Sequence, residues 1–454
     1  MNSTFAQLSP SQRHNIAYNV RHGVASVLAA NLAAPFFGIF ALKMGATNTQ
    51  VALLASGPAI VSLLVMIPGA FYVDQFSQKK RVTTAFFLAN RLFYLALACV
   101  PFFTPDRRAG ALVVAVALMN LPGAIGNVAW QAFISRVIPP AHRAQAFARR
   151  NRWMNFVGTA AVVVAGRALD IMSFPVGYQV MFAVAFVAAM AEIRIFQRIE
   201  EPVDPAAATR DGQGAPVAAT ASTATPGLAG IARVGPLTSL GRGLADAGRE
   251  LGSHRRFIQY TLASAVFYFS WQIAWPLFTL YQVKVLGANN LWISLLQLAN
   301  TGGALVGYGF WAAFADRHGH LKSLVVSTMG MCFVPFYYAF SHSLVTITVL
   351  NLATGVIFSG VILALFNALL ENTPDEHTTR YIAYYNTAIA LTAVLAPLVG
   401  VGLLHFFSYR WAFLVCAGAR IVGSFSFYLV FRSRRAAERP AAEASAAGGS
   451  AARA

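Results

Sequence analysis

Pro35-Phe36-Phe37-Gly38-Ile39-Phe40-Ala41-Leu42-Lys43 and Pro276-Leu277-Phe278-Thr279-Leu280-Tyr281-Gln282-Val283-Lys284 carry the same three landmarks at the same spacing: a proline, then Phe37 or Phe278, then Lys43 or Lys284. Gly45-Ala46 then answers Gly287-Ala288, and Asn48 answers Asn290, after one inserted residue. The same offset carries Asp74 onto Asp316, and a slightly shorter one carries Pro139, His142 and Asn151 onto Pro374, His377 and Asn386. One such match is expected by chance; the whole ordered series marks an internal duplication.

The duplicated unit is apolar. Of 454 residues, 57% are hydrophobic and 11% charged, with a mean hydropathy of +0.58. A soluble chain carries about a quarter charged residues. The apolar runs approach the roughly 20 residues that cross a bilayer as helix, and they lack the alternation of barrel strands. Twelve spans are predicted, near 20–42, 51–73, 82–103, 109–137, 152–169 and 176–196, then 257–285, 292–314, 323–340, 344–370, 381–406 and 411–431. Pro35, Pro122, Pro276 and Pro397 interrupt several of them. Bundles tolerate such breaks where neighbouring helices satisfy the freed backbone groups. Six spans per copy give both copies the same orientation, a parallel repeat with a site between the halves at mid-depth. The expected fold is an all-α membrane protein of twelve transmembrane helices in two parallel pseudo-repeated six-helix halves.

The predicted organisation is an N-terminal half over 1–199, a linker over 200–256, a C-terminal half over 257–432 and a structureless tail over 433–454. The linker is rich in Ala, Thr, Pro and Gly without an apolar period, and 237–256 reads as a basic surface helix. The polar start of the chain lacks the pattern of a cleaved leader. Cys99, Cys332 and Cys416 lie in apolar runs as packing residues, not as a disulfide or metal framework.

The net charge of +18 would suit nucleic acid in a soluble protein. Here the bases sit between apolar spans, so no nucleic-acid partner is expected. Of the 34 Lys and Arg, only Lys43, Arg107, Arg108, Lys284 and Arg410 fall in the loops on the side opposite the termini. The excess on the other side places both termini in the cytoplasm. The expected location is the plasma membrane, a bacterial inner membrane, with lipids as partners.

After the second span of each copy comes an Asp-centred basic loop. The second copy reads Ala312-Ala313-Phe314-Ala315-Asp316-Arg317-His318-Gly319-His320-Leu321-Lys322; the first has Asp74, Gln75 and then Lys79-Lys80-Arg81. A carboxylate at a helix end, beside a neighbouring helix N-terminus or an Arg, forms a charge latch that favours one arrangement of a rocking bundle. Twelve spans in two parallel halves, a long central loop and this paired motif resemble the major facilitator superfamily, over nearly the whole chain. Its loop runs Gly-x-x-x-Asp-Arg-x-Gly-Arg-Lys. The second copy keeps Asp316, Arg317 and Gly319 with Ala312 for the first Gly; the first keeps Asp74 and Arg81 but has Gln75 and Ser77. Gly158 and Gly166 approach the first spacing of the drug-exporter motif, but no Gly-Pro follows.

The resemblance implies a secondary transporter of a small molecule by alternating access, acting as a monomer, with an ion or proton as a possible coupled partner. It also implies a cavity lined by spans one, four, seven and ten. Asn31, Asn127, Trp130, Gln131, Gln272, Trp275 and Asn367 are the candidate substrate-binding residues there, weighed against plain interhelical bonding. Arg91, costly in lipid, and Glu371 are the coupling candidates. Arg167 and Arg420 also fall inside spans, and Asp170, Glu192 and His405 are the other titratable groups open to a proton route. His318 and His320 read as solvated side chains rather than metal ligands. No cofactor, metal or catalytic constellation is expected, so the chain is not read as an enzyme. A transporter-like sensor or assembly partner that binds without translocating is the alternative.

Overall fold

Both copies of the repeat break a helix, restart it at the proline and then end it on a glycine. In a computed structural model of the chain, which describes residues 9–76, 78–200, 254–373 and 378–451, α1 (Pro10–Asn31) stops short of Pro35. A 3₁₀ turn over Ala34–Phe36 leads into α2 (Phe37–Lys43). Its counterpart α8 (Arg255–Gln272) stops before Pro276, which lies in the first turn of α9 (Trp275–Leu280), continued as a π turn over Tyr281–Val285. Proline lacks the N–H that an unbroken helix would need and fits the first turn of a new one. Gly45 (φ +86°) and Gly287 (φ +66°) then take left-handed conformations that end the segments. Ala46 N–H reaches back to Ala41 O at 2.9 Å and Ala288 N–H to Gln282 O at 2.8 Å. The landmarks recur because each performs one backbone operation.

The remaining helices are α3 (Asn48–Asp74), α4 (Lys79–Cys99), α5 (Pro105–Val137), α6 (Pro140–Ile171) and α7 (Val176–Phe196) in the first half. The second half adds α10 (Asn290–His318), α11 (His320–Gly330), α12 (Phe333–Phe340), α13 (Leu344–Asn372), α14 (Thr378–Leu403) and α15 (Tyr409–Ala451). Counting each broken pair once, the described residues make twelve rods, six on either side of the linker. Ten are long and apolar enough to cross a membrane. The other two are 255–285, which carries Gln259, Ser270 and Gln272, and Asn290–His318, which carries Gln297, Asn300, Gly302, Gly303, Gly307 and Gly309; these residues dilute their hydropathy. The linker expected over 200–256, with its basic helix, lies outside the described residues except at its two ends. α15 continues as helix through 433–451.

The rods pack mainly within their halves, and α3 along α14 and α6 along α10 join the halves. Both described termini lie at one end of the bundle, here the termini end. The turns at 43–48, 171–176, 285–290 and 403–409 lie at the other, the far end. Large apolar side chains such as Leu64, Val306, Phe310 and Val349 face outward from the rods, as a lipid-facing surface requires.

Arg420 of α15, fully buried, stitches two helix breaks together. Its Nη1 donates to Met331 O at 2.8 Å and its Nη2 to Trp271 O at 3.1 Å. These carbonyls lie at the ends of α11 and α8, where helical partners run out and the helix dipole is negative. Arg420→Gln is expected to lower stability by about 2–4 kcal/mol, since two buried carbonyls lose their donors. Arg420→Lys should recover part of this. An unchanged thermal midpoint of the purified variant would refute the assignment.

Candidate functional site

The halves are bonded to each other at the far end. Asp170, on the last turn of α6, accepts from Asn290 N–H at 3.0 Å, Asn290 Nδ2 at 2.9 Å and Leu291 N–H at 2.9 Å. These amides open α10 in the other half, so a carboxylate of one half caps a helix N-terminus of the other, where orphan donors and the dipole favour negative charge. Tyr178 O–H donates to Asn290 Oδ1 at 2.6 Å, Ser294 O–H to Val162 O at 2.8 Å and Lys284 Nζ to Asn48 Oδ1 at 2.8 Å. Gly166 lets the helices meet: a Cβ there would run into Ser294 and the Asn290 carbonyl. The cross-half hydrogen bonds found among the described residues thus cluster at the end away from the termini.

Deeper in the first half lies a buried polar cluster. Arg91 on α4 grips Glu192 on α7 with two bonds, Nε to Oε2 at 2.9 Å and Nη2 to Oε1 at 3.0 Å. Its Nη1 donates to Asn90 Oδ1 at 2.8 Å, and its Nη2 also approaches Ser26 Oγ at 3.3 Å. His22 on α1 places Nε2 3.3 Å from Glu192 Oε1. Glu192 is 0% exposed and His22 2%. A forked guanidinium–carboxylate contact supplies the geometry that a buried pair needs. The partner of Arg91, left open in the sequence, is therefore Glu192, 101 residues away.

The predicted cavity residues separate. Asn127 and Gln131 on α5 are exposed one turn apart on one face, and Trp130 beside them is half-buried under Arg150, whose guanidinium carbon lies 4.9 Å from the ring centre. Trp275 is 41% exposed and meets the buried Trp271 edge-on at 5.6 Å. Gln272 is turned into the packing, 4% exposed, its Oε1 accepting from Thr392 O–H at 3.1 Å. Asn31 abuts Gly158 of α6. Asn367 is half-buried on α13. Three residues that sequence reasoning passed over belong with this set. Asn19 and His22 lie on the stripe Asn15–Asn19–His22–Ser26 of α1, whose three- and four-residue steps put them on one face. On α6, Arg149 and Arg152 are exposed, but Arg150 folds inward beside Gly23.

The sequence model of the Major Facilitator Superfamily matches residues 23–245 and 260–453. The chain belongs to the Major Facilitator Superfamily. It is a multi-pass membrane transporter by family, not an enzyme. Among solved structures it is similar to the nucleoside transporter NupG, with a TM-score of 0.66 at 11% identity over 93% of this chain and 99% of that one. It is also similar to a bacterial homolog of the human lysosomal transporter Spinster in an inward-facing, unoccupied conformation, with a TM-score of 0.62 at 12% identity over 94% of this chain and 98% of that one. At such identities the likeness is one of fold. No curated protein sequence matches.

Against the superfamily's loop motif, Asp316 and Arg317 are exposed and form no ion pair among the described residues. Gly319 (φ +83°) ends α10 and starts α11, with its N–H on Ala315 O at 2.8 Å. In the first copy the Asp74 side chain lies outside the described residues. Arg81 is exposed and lines a cleft of about 620 Å³ with Tyr72, Phe76 and Gln78. Of the coupling candidates, Arg91 sits in the buried cluster. Glu371 is 38% exposed near the termini end, 4.0 Å from His320 Nε2. Arg167 is exposed. Among the described residues no three His, Cys, Asp or Glu come together as a metal site.

Proposed function

We propose that this member of the superfamily is a secondary active transporter that moves a small molecule by alternating access, as a monomer in a bacterial inner membrane with both termini in the cytoplasm. The observation that carries the reading is the Asp170 cap on α10: two six-rod halves bonded at one end, with Asn127 and Gln131 exposed towards the other. This is the state closed on the far side and open to the cytoplasm. The substrate lies between α1, α5, α8 and α13, with Trp130, Trp275, Asn127, Gln131 and Asn367 as its contacts and Asn31 and Gln272 positioned behind them. Coupling to an ion or proton runs through Arg91 and its partners, since Glu371 lies outside the middle of the bundle. The direct test is flux of a solute panel into sealed vesicles holding the purified full chain. Flux of no solute would overturn the proposal.

The exposed Asp316–Arg317 motif, without an ion pair among the described residues, favours a second reading, a sensor that binds without moving its ligand. Asp316→Asn separates the two. In a transporter whose latch forms in the opposite state, flux falls several-fold while binding persists; in a sensor no flux exists to lose.

A further inference from the structure

Four groups around α1 in the first half have polar atoms left without a partner among the described residues. Arg150 makes no hydrogen bond or ion pair among the described residues, and its Nε is buried. Trp130 Nε1, a donor only, is buried without an acceptor among those residues. Asn19 is 0% exposed and neither end of its amide is bonded to them. His22 Nδ1 is likewise buried and unpartnered, while its Nε2 lies 3.3 Å from Glu192 Oε1. They are neighbours: Arg150 lies over the Trp130 ring, the His22 and Trp130 rings stack at 6.4 Å, and Asn19 is one turn from His22 on the same face. Gly23 keeps the way clear, because a Cβ there would meet Arg150 Nε at 2.5 Å and Met154 Sδ at 2.9 Å.

The charges do not balance. Among the described residues, Arg91 and Arg150 face one carboxylate, Glu192, and both of its oxygens are engaged by Arg91. Asp170 is committed to the α10 N-terminus and Asp316 is exposed at the termini end. Leaving a guanidinium, an indole N–H and an amide unsatisfied in the interior is costly, so such groups mark a missing partner. A set weighted to donors, with one uncompensated positive charge, calls for an oxyanion. Exposed Asn127 and Gln131 on the adjoining turns of α5 give it a route from the termini end.

We infer that Arg150, Trp130, Asn19 and His22 form the subsite that receives the anionic group, carboxylate or phosphate ester, of a small organic acid carried by this protein. The inference rests on the transport reading and adds its substrate class.

The test uses the purified full chain in lipid-free maltoside detergent, with benzoate, phenyl phosphate and inorganic phosphate as probes and benzamide as the neutral match. At least one anion should raise the thermal midpoint where benzamide does not. Which of benzoate and phenyl phosphate acts separates carboxylate from phosphate ester. Arg150→Gln should weaken that anion's apparent Kd about tenfold or more, the worth of a buried bond to a charged group. Arg150→Lys should fall between, and Trp130→Phe, which keeps the ring and removes one donor, should cost several-fold; these two keep the test valid if Arg150→Gln does not fold. No anion response in the wild-type protein, unchanged affinity in the variants, or stabilisation by phosphatidylglycerol in place of the acids would overturn the inference. Vesicle flux separates the two levels. Carriage of a neutral solute with no acid bound sinks the subsite alone, whereas acids bound with no solute moved sinks transport alone.

Discussion

Glu192→Ala is expected to be the most damaging single substitution in the first half, at about 3–5 kcal/mol, the range for breaking a buried ion pair by removing one partner. The carboxylate is fully buried and takes both bonds of the Arg91 fork. Without it, Arg91 is left charged in an apolar bundle with Asn90 Oδ1 and Ser26 Oγ, both neutral, as its acceptors. The loss is that of an uncompensated charge, so it should not add to the loss from Arg91. Changing the pair together, Arg91→Met with Glu192→Leu, should cost less than Glu192→Ala alone, because an apolar pair of similar volume leaves no buried charge. Thermal midpoints of the purified variants decide it. A double variant as unstable as the sum of the singles would show that the pair is not one unit.

Asp170→Asn should loosen the far end. The carboxylate accepts three bonds from the start of α10, two of them from backbone amides. Hydrogen bonds to a charged group contribute about 1.5–3 kcal/mol each. An Asn side chain keeps one acceptor oxygen and loses the charge that suits a helix N-terminus. A net loss near 2–3 kcal/mol shifts a two-state equilibrium by roughly 30- to 150-fold. Ser294, buried at this contact, supplies the reporter. The background is a Ser294→Cys chain whose three native cysteines are replaced by Ala. Maleimide labelling from the far side should be slow while Asp170 is intact, and at least about tenfold faster once Asp170→Asn is added. Equal rates would mean that the cap does not hold the gate. Ser294 and Tyr178 add smaller neutral bonds to the same contact, so their loss should matter less.

How much of this was written in the chain depends on the range over which each feature acts. The helix breaks at Pro35 and Pro276, and the glycines at 45 and 287 that end the segments, are local operations. Each is set by a missing N–H or a positive φ, and each is legible from a few neighbouring residues. The polar stripe of α1 is equally local, three or four residues per step, but what it meets depends on the neighbouring rods. Gln272 shows the opposite case. Its place beside a helix break was legible, but its burial against Thr392 of α14 depends on a contact 120 residues away.

The sequence by itself determined that the chain is membrane-bound, helical, duplicated with six rods to each half, and oriented alike in both. Apolar run length, helix-breaking residues and repeated landmarks are properties of neighbours along the chain, and the bilayer turns them into architecture. Tertiary structure alone decided which charge answers which. Arg91 meets Glu192, Asp170 caps a helix in the other half, Arg420 stitches two breaks in the second half, and Arg150 turns inward past Gly23 to stand without a polar partner among the described residues. Leaving one member of such a buried pairing without its partner is costly, but each pairing is made between residues whose separation along the chain carries no signal, and only the packing of the rods brings them within reach.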